Sequence, residues 1–204
     1  MFSNDFQDPH QTFWHRKLGP TLGAVVLFIV EVFQIVIVSA AIVVPIRYFL
    51  IQPFNVKGAS MEPNFYNDEY LIIDEISYRM REPVRGEIVV FRYPNDPSQF
   101  FIKRVIGLPG ETVEVTDGKI VVYNETHPNG IVLQEPYLFG EMTEGKKKAV
   151  LAQDEYWLMG DNRDESLDSR SFGQVKRTHL IGRVWVRGLP FSRIGTFEIP
   201  NYHL

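Results

Sequence analysis

The stretch Phe101-Ile-Lys-Arg-Val-Ile-Gly-Leu-Pro-Gly-Glu111 decides how this chain is read. Its first six residues are rich in β-branched and aromatic side chains, and Leu108-Pro-Gly110 then marks a turn. A strand alternates its side chains, so Phe101, Lys103 and Val105 share one face and Ile102, Arg104 and Ile106 the other. Each face thus carries one cation among apolar groups. Runs of the same kind precede it at Tyr70–Asp74 and Gly86–Arg92. Others follow at Thr112–Val115, Lys119–Tyr123, Glu155–Met159 and Leu180–Val186. Turn signals at Tyr93–Pro97, Asp117-Gly118 and Asn129-Gly130 separate them, and Asp117-Gly118 predicts a tight hairpin. The expected fold class is mainly β, a compact antiparallel sheet domain. Residues 125–152 are the most polar and least patterned, and are expected to form a loop-rich excursion.

The N-terminal part has a different character. From Thr21 to Ile46 the chain is almost wholly apolar, interrupted by Glu31, Gln34 and Ser39. About 20 apolar residues suffice to cross a bilayer, and there a helix satisfies every backbone group internally. A cleavable targeting peptide fits poorly, because the run is too long and no small-x-small site ends it before Pro45 and Arg47. The expected organisation is an N-terminal segment over 1–20, a transmembrane anchor helix over 21–46 and a β-rich domain over 47–204. An ionised carboxylate near mid-bilayer costs a few kcal/mol, so Glu31 is expected to be neutral or paired, with Gln34 one turn on. A helix–helix contact and a merely tolerated Glu are both open. Arg16 and Lys17 on one side nearly balance Arg47 and Lys57 on the other, so charge counting does not orient the span.

Composition narrows the chemistry. The 204 residues carry a formal net charge of −4, which argues against a general nucleic-acid binder. Lys146, Lys147 and Lys148 read as a solvated turn. The chain has no cysteine, so disulfides, thiol catalysis and Cys-ligated zinc are excluded. The five histidines fall at 10, 15, 127, 179 and 203 without ligand spacing, and no metal or cofactor is expected.

Three segments can carry chemistry. In Lys57-Gly-Ala-Ser-Met-Glu-Pro63, small residues allow a substrate backbone to approach Ser60, whose N–H could face a developing oxyanion. A serine in such a turn is also an ordinary turn residue. Burial at Lys103 would disfavour its charged form, and a neutral amine can take a hydroxyl proton. Equally, Lys103 could snorkel to solvent from a strand edge. In Gly160-Asp-Asn-Arg-Asp-Glu-Ser-Leu-Asp-Ser-Arg-Ser-Phe-Gly173, four acids, two arginines and three serines suit a dense polar network. A calcium loop fits less well, since the acid spacing is wrong and the arginines repel a cation.

Taken in this order behind an apolar anchor, the segments resemble bacterial type I signal peptidases, the serine–lysine peptidases. The resemblance runs from about Phe54 to Gly173, and includes Tyr70–Asp74 and Arg85–Phe91 as intermediate motifs. It implies a signal peptidase or LexA-like β fold, with Ser60 as nucleophile and Lys103 as general base. Ser166 would orient the lysine amine, and Asp161, Arg163, Asp168 and Arg170 would be structural, with Arg104 as a partner. Some members place a serine hydroxyl in the oxyanion hole where this chain has Gly58, so the hole here would rest on backbone N–H groups, mainly that of Ser60. Val56, Met61, Phe65, Phe101 and Ile102 are expected to line shallow substrate pockets. The implied partners are secretory precursor proteins and the lipid bilayer, with neither nucleic acid nor metal. The implied location is the cell membrane, single-pass, with the catalytic domain on the outer face. A LexA-like self-cleaving repressor would carry a DNA-binding domain in place of the apolar span. A non-catalytic, membrane-tethered β-domain acting as a binding module is the alternative of another class.

Overall fold

The computed structural model describes residues 19–49, 51–200 and 202. The chain divides into two compact units, residues 1–48 and 49–204. The expected segment 1–20 lies, up to residue 18, outside the described residues.

In the first unit a continuous helix runs Pro20–Phe49. Within it Thr21–Val44 is long and apolar enough to cross a membrane. At 1.5 Å per residue those residues span about 36 Å, against about 30 Å of hydrocarbon. Phe28, Phe33 and Ile35 are among its exposed apolar side chains.

Strands build the second unit: β1 (Ile51–Asn55), β2 (Tyr70–Asp74), β3 (Ile88–Tyr93), β4 (Asp96–Gly107), β5 (Thr112–Thr116), β6 (Lys119–Tyr123), β7 (Ile131–Val132), β8 (Lys147–Val150), β9 (Glu155–Met159), β10 (Val175–Lys176), β11 (Leu180–Leu189) and β12 (Gly195–Thr196). They form two antiparallel sheets. The larger has the order β1-β2-β11-β3-β4-β9-β10, with β12 on β11, and the smaller the order β7-β6-β5-β8. The Asp117-Gly118 hairpin forms as expected, joining β5 to β6 with Thr116 opposite Lys119. Both turn residues take positive φ, 49° and 76°, the backbone that a two-residue hairpin demands.

Apolar runs without alternation mark strands covered on both faces. In β3, Ile88 and Val90 enter a cluster with Val56, Met61, Phe65, Leu71, Ile73 and Val184. Val89 and Phe91 point the other way, towards Tyr78, Val105, Tyr156, Leu158, Val175 and Leu180. A third cluster joins the sheets through Ile106, Val113, Val115, Ile120, Val122, Trp157 and Met159. Burial of this kind is worth about 1.5–3 kcal/mol per large side chain, the main force holding the layers.

Two expectations need correction. Residues 125–152 are not simply a loop: they supply β7 and β8, the edges of the smaller sheet, and bury Leu133, Leu138 and Thr143. Two-residue and four-residue edge strands show too little alternation to be read beforehand. Lys147 and Lys148 accordingly belong to β8 rather than to a solvated turn, and Lys148 Nζ lies 3.1 Å from Glu114. Ahead of Ser60 the chain forms β1, paired with β2 from Ile51 opposite Asp74 to Asn55 opposite Tyr70.

Candidate active site

Ser60 sits in the turn that follows β1. Met61 and Phe65, 1% and 0% exposed, sink into the core beneath it and fix the turn from below. The backbone closes on itself through Glu62 N–H to Ala59 O at 3.0 Å and Phe65 N–H to Met61 O at 2.8 Å. Lys103 reaches Ser60 from β4, opposite Val89 of β3.

Lys103 Nζ donates to Ser60 Oγ at 2.7 Å and to the Ile102 carbonyl at 2.8 Å. The residue is 3% exposed, so it does not snorkel to solvent. No carboxylate forms an ion pair with it among the described residues. Burial pulls its ammonium from 10.5 down to about 8, against the weaker opposing pull of the Asp168 and Asp161 carboxylates. A lysine held in this way is a base poised near neutrality, within hydrogen-bond reach of a hydroxyl.

The segment 160–173 forms a cage of charges beside this pair. Arg104 binds Asp161 through two nitrogens at 2.8 and 2.6 Å, donates to the Gly86 carbonyl at 2.9 Å, and lies 3.9 Å over the Tyr137 ring. Arg163 donates to Gly160 O at 3.0 Å, to Glu135 at 3.0 and 2.5 Å, and to Thr143 Oγ1. Asp168 accepts two bonds from the Arg170 guanidinium at 2.9 Å and one from the Gly160 N–H at 3.2 Å. These ions are nearly dry, so each is held by its full set of partners and removal of one would strand another. The cage meets the serine turn directly. Asn162 N–H donates to the Ser60 carbonyl at 3.1 Å, and Asn64 Nδ2 donates to Asp161 at 2.9 Å. At Gly160 there is no room for a side chain, because a Cβ would collide with Ser166 Oγ and the Ser60 carbonyl.

Beside Ser60 and Lys103 runs a groove of about 460 Å³. Val56, Gly58, Phe101 and Ile102 are among the residues that line it, with Phe54, Leu71, Val90, Phe100 and Leu167. Met61 and Phe65 do not line it: they are core residues. Alternation after a turn could not say on which side of the serine each would fall. Gly58 gives its N–H to Asn67 Oδ1 at 2.9 Å, so that N–H is engaged, whereas the Ser60 N–H has no acceptor among the described hydrogen bonds. Ser166 does not hydrogen-bond Lys103; its hydroxyl is buried without a partner among the described residues. The sequence reading missed Asn64, Glu135, Tyr137 and Thr143. Glu135, Tyr137 and Thr143 lie in the unpatterned stretch, and Asn64 sits outside every motif, so no local signal marked them.

Among the described residues no group of His, Asp and Glu could hold a metal ion.

Comparison with known proteins identifies the family. A family model described as signal peptidase, peptidase S26, matches residues 29–188. A probable signal peptidase I-2 of Synechocystis sp. is 37% identical over 171 residues, covering 81% of this chain and 75% of that protein. A signal peptidase I of Leptolyngbya laminosa is 36% identical over 170 residues, covering 79% and 80%. A crystal structure of a signal peptidase I from Enterococcus faecalis matches with a TM-score of 0.44 and 32% identity, over 51% of this chain and 97% of that one. The chain therefore belongs to the signal peptidase family, peptidase S26, and is a serine endopeptidase of that family.

Proposed function

We propose that the protein removes N-terminal signal peptides from secretory precursors, with Ser60 as nucleophile and Lys103 as general base. The observation that carries this reading is the buried Lys103 amine, held 2.7 Å from Ser60 Oγ at the edge of an apolar groove. With its lone pair towards the hydroxyl, neutral Lys103 takes the Ser60 proton as Oγ attacks the scissile carbonyl carbon. The Ser60 N–H, free of an internal acceptor, stabilises the oxyanion. The resulting ammonium gives its proton to the leaving nitrogen as the C–N bond breaks. A water deprotonated by the same amine then attacks the acyl-enzyme and releases the new carboxylate. Of the two N–H groups left on the neutral amine, one is engaged by the Ile102 carbonyl. The other suits Ser166, whose buried hydroxyl lacks a partner. Asp161, Arg163, Asp168 and Arg170, with Arg104, act as the frame that keeps both turns in register.

Cleavage follows small-x-small residues in this reading, with Phe54, Val56 and Ile102 among the groove walls that those side chains would meet. Residues 21–46 anchor the protein in the cell membrane as a single span. Residues 1–20 are cytoplasmic, and residues 47–204 form the extracytoplasmic peptidase domain. The test is to incubate purified full-length protein in detergent with a secretory precursor and to determine product masses beside a Lys103→Ala variant. One cut after a small-x-small triplet, absent in the variant, is expected. Cleavage by both removes Lys103 from the mechanism. Cleavage by neither, with folded protein and several precursors, favours a binding module.

A further inference from the structure

The N-terminal helix carries a face that the chemistry at Ser60 does not use. Successive residues turn by about 100°, which places Glu31, Gln34 and Ser39 on one half of the cylinder between Thr21 and Val44. Leu27, Phe28, Ile35, Val38 and Ile42 fall on the same half. The opposite half is purely apolar, from Leu22, Val25 and Val26 to Val43 and Val44. Glu31, Gln34, Ile35, Val38 and Ser39 form a contiguous patch on the polar side. All five are exposed, and neither Glu31 nor Gln34 takes part in a described hydrogen bond. Hydrocarbon holds no water to satisfy them, so an unpartnered carboxyl and amide at this depth are costly.

We infer that this face joins two copies of the chain within the membrane, through reciprocal contacts between Glu31 of one helix and Gln34 of the other. The inference rests on the reading of Thr21–Val44 as a membrane span. The apolar segment of a precursor offers no polar partner. A second copy offers the right one at the right depth: a two-fold axis along the membrane normal sets Glu31 one turn from Gln34 of the other helix. The amide N–H of each then meets the carboxyl of the other, twice by symmetry.

The natural chain has no cysteine, so single-cysteine variants of the full protein report contact cleanly. In isolated membranes, Val38→Cys (on the Glu31 side) and Ala40→Cys (on the far side) are oxidised and run without reductant. Val38→Cys is expected to give at least about tenfold more disulfide dimer than Ala40→Cys. Adding Glu31→Leu and Gln34→Leu is expected to bring it down to the Ala40→Cys level. Equal yields, no dimer, a cross-link to a chain of another mass, or a dimer that survives the double Leu change each overturns the inference. Alkaline carbonate extraction run in parallel separates the causes. Protein retained in the membrane pellet confines a failure to the dimer, whereas extracted protein overturns the membrane reading and the inference with it.

Discussion

The depressed lysine sets a pH dependence that can be worked out in advance. An ordinary lysine near 10.5 is neutral in about one molecule in 3,000 at pH 7, whereas one near 8 is neutral in about one in eleven. Burial of Lys103 thus raises the supply of neutral amine at neutral pH by about 300-fold, and on the proposed mechanism that amine is the base. On a quenched-fluorescent peptide with a small-x-small site, kcat/KM is expected to climb tenfold per pH unit below pH 7 and to level off above a midpoint near 8. The same burial has a cost to stability with a defined sign. The unfolded lysine keeps its proton up to 10.5, the folded one only to about 8, so the unfolded state binds more protons between those values. Stability from this group therefore rises with pH across that window, by about 3 kcal/mol in total, and the full penalty is present below pH 8. Lys103→Met removes the penalty and leaves the Ile102 carbonyl short of a donor, a loss of about 1 kcal/mol or more. Below pH 7 the inactive variant should then be more stable than wild type by about 1–2 kcal/mol in denaturant titrations, with the advantage disappearing by pH 10. A rate midpoint near 10, or a wild-type protein more stable than the variant at pH 6, would refute the account.

Three further outcomes follow from the packing. Asp161→Ala leaves the Arg104 guanidinium, 3% exposed, without its bidentate partner, and should cost about 3–5 kcal/mol in chemical denaturation. Gly160→Ala pushes a methyl group against Ser166 and the Ser60 carbonyl, so kcat should fall by more than about tenfold even where circular dichroism is unchanged. Ile102→Ala widens the groove beside the dyad; cleavage of a substrate with Val in place of Ala before the cut should rise relative to the parent by about 10-fold or more, read as a ratio of kcat/KM values.

How much could be read beforehand differs from one part of the molecule to another. Strands such as Tyr70–Asp74, Lys119–Tyr123 and Glu155–Met159 have the bounds their residue pattern suggests, because each is a short β-rich run between turn signals. The apolar helix was equally plain, since an almost wholly apolar stretch of more than twenty residues leaves few alternatives. The edge strands β7 and β8 were not legible, and neither was the split into two sheets. Strands of two and four residues hold too few positions to establish a period, and pairing between distant segments is a property of the whole chain.

The site divides along the same line. Residue order alone pointed to Ser60, Lys103 and the acid–arginine segment as candidates, because the motifs that single them out are residue types held in a specific spacing. Only the tertiary structure decided what surrounds them. Met61 and Phe65 turned inward to become the floor of the serine turn, while Leu71, Val90 and Leu167, from three separate segments, became walls of the groove. Glu135 and Thr143, from the connection between β7 and β8, hold Arg163, and Asn64 ties the turn to Asp161. A sequence fixes which groups are available and how neighbours alternate. Burial, and with it the loss of Lys103's proton affinity, arises from distant segments excluding water around one atom, which no local pattern encodes.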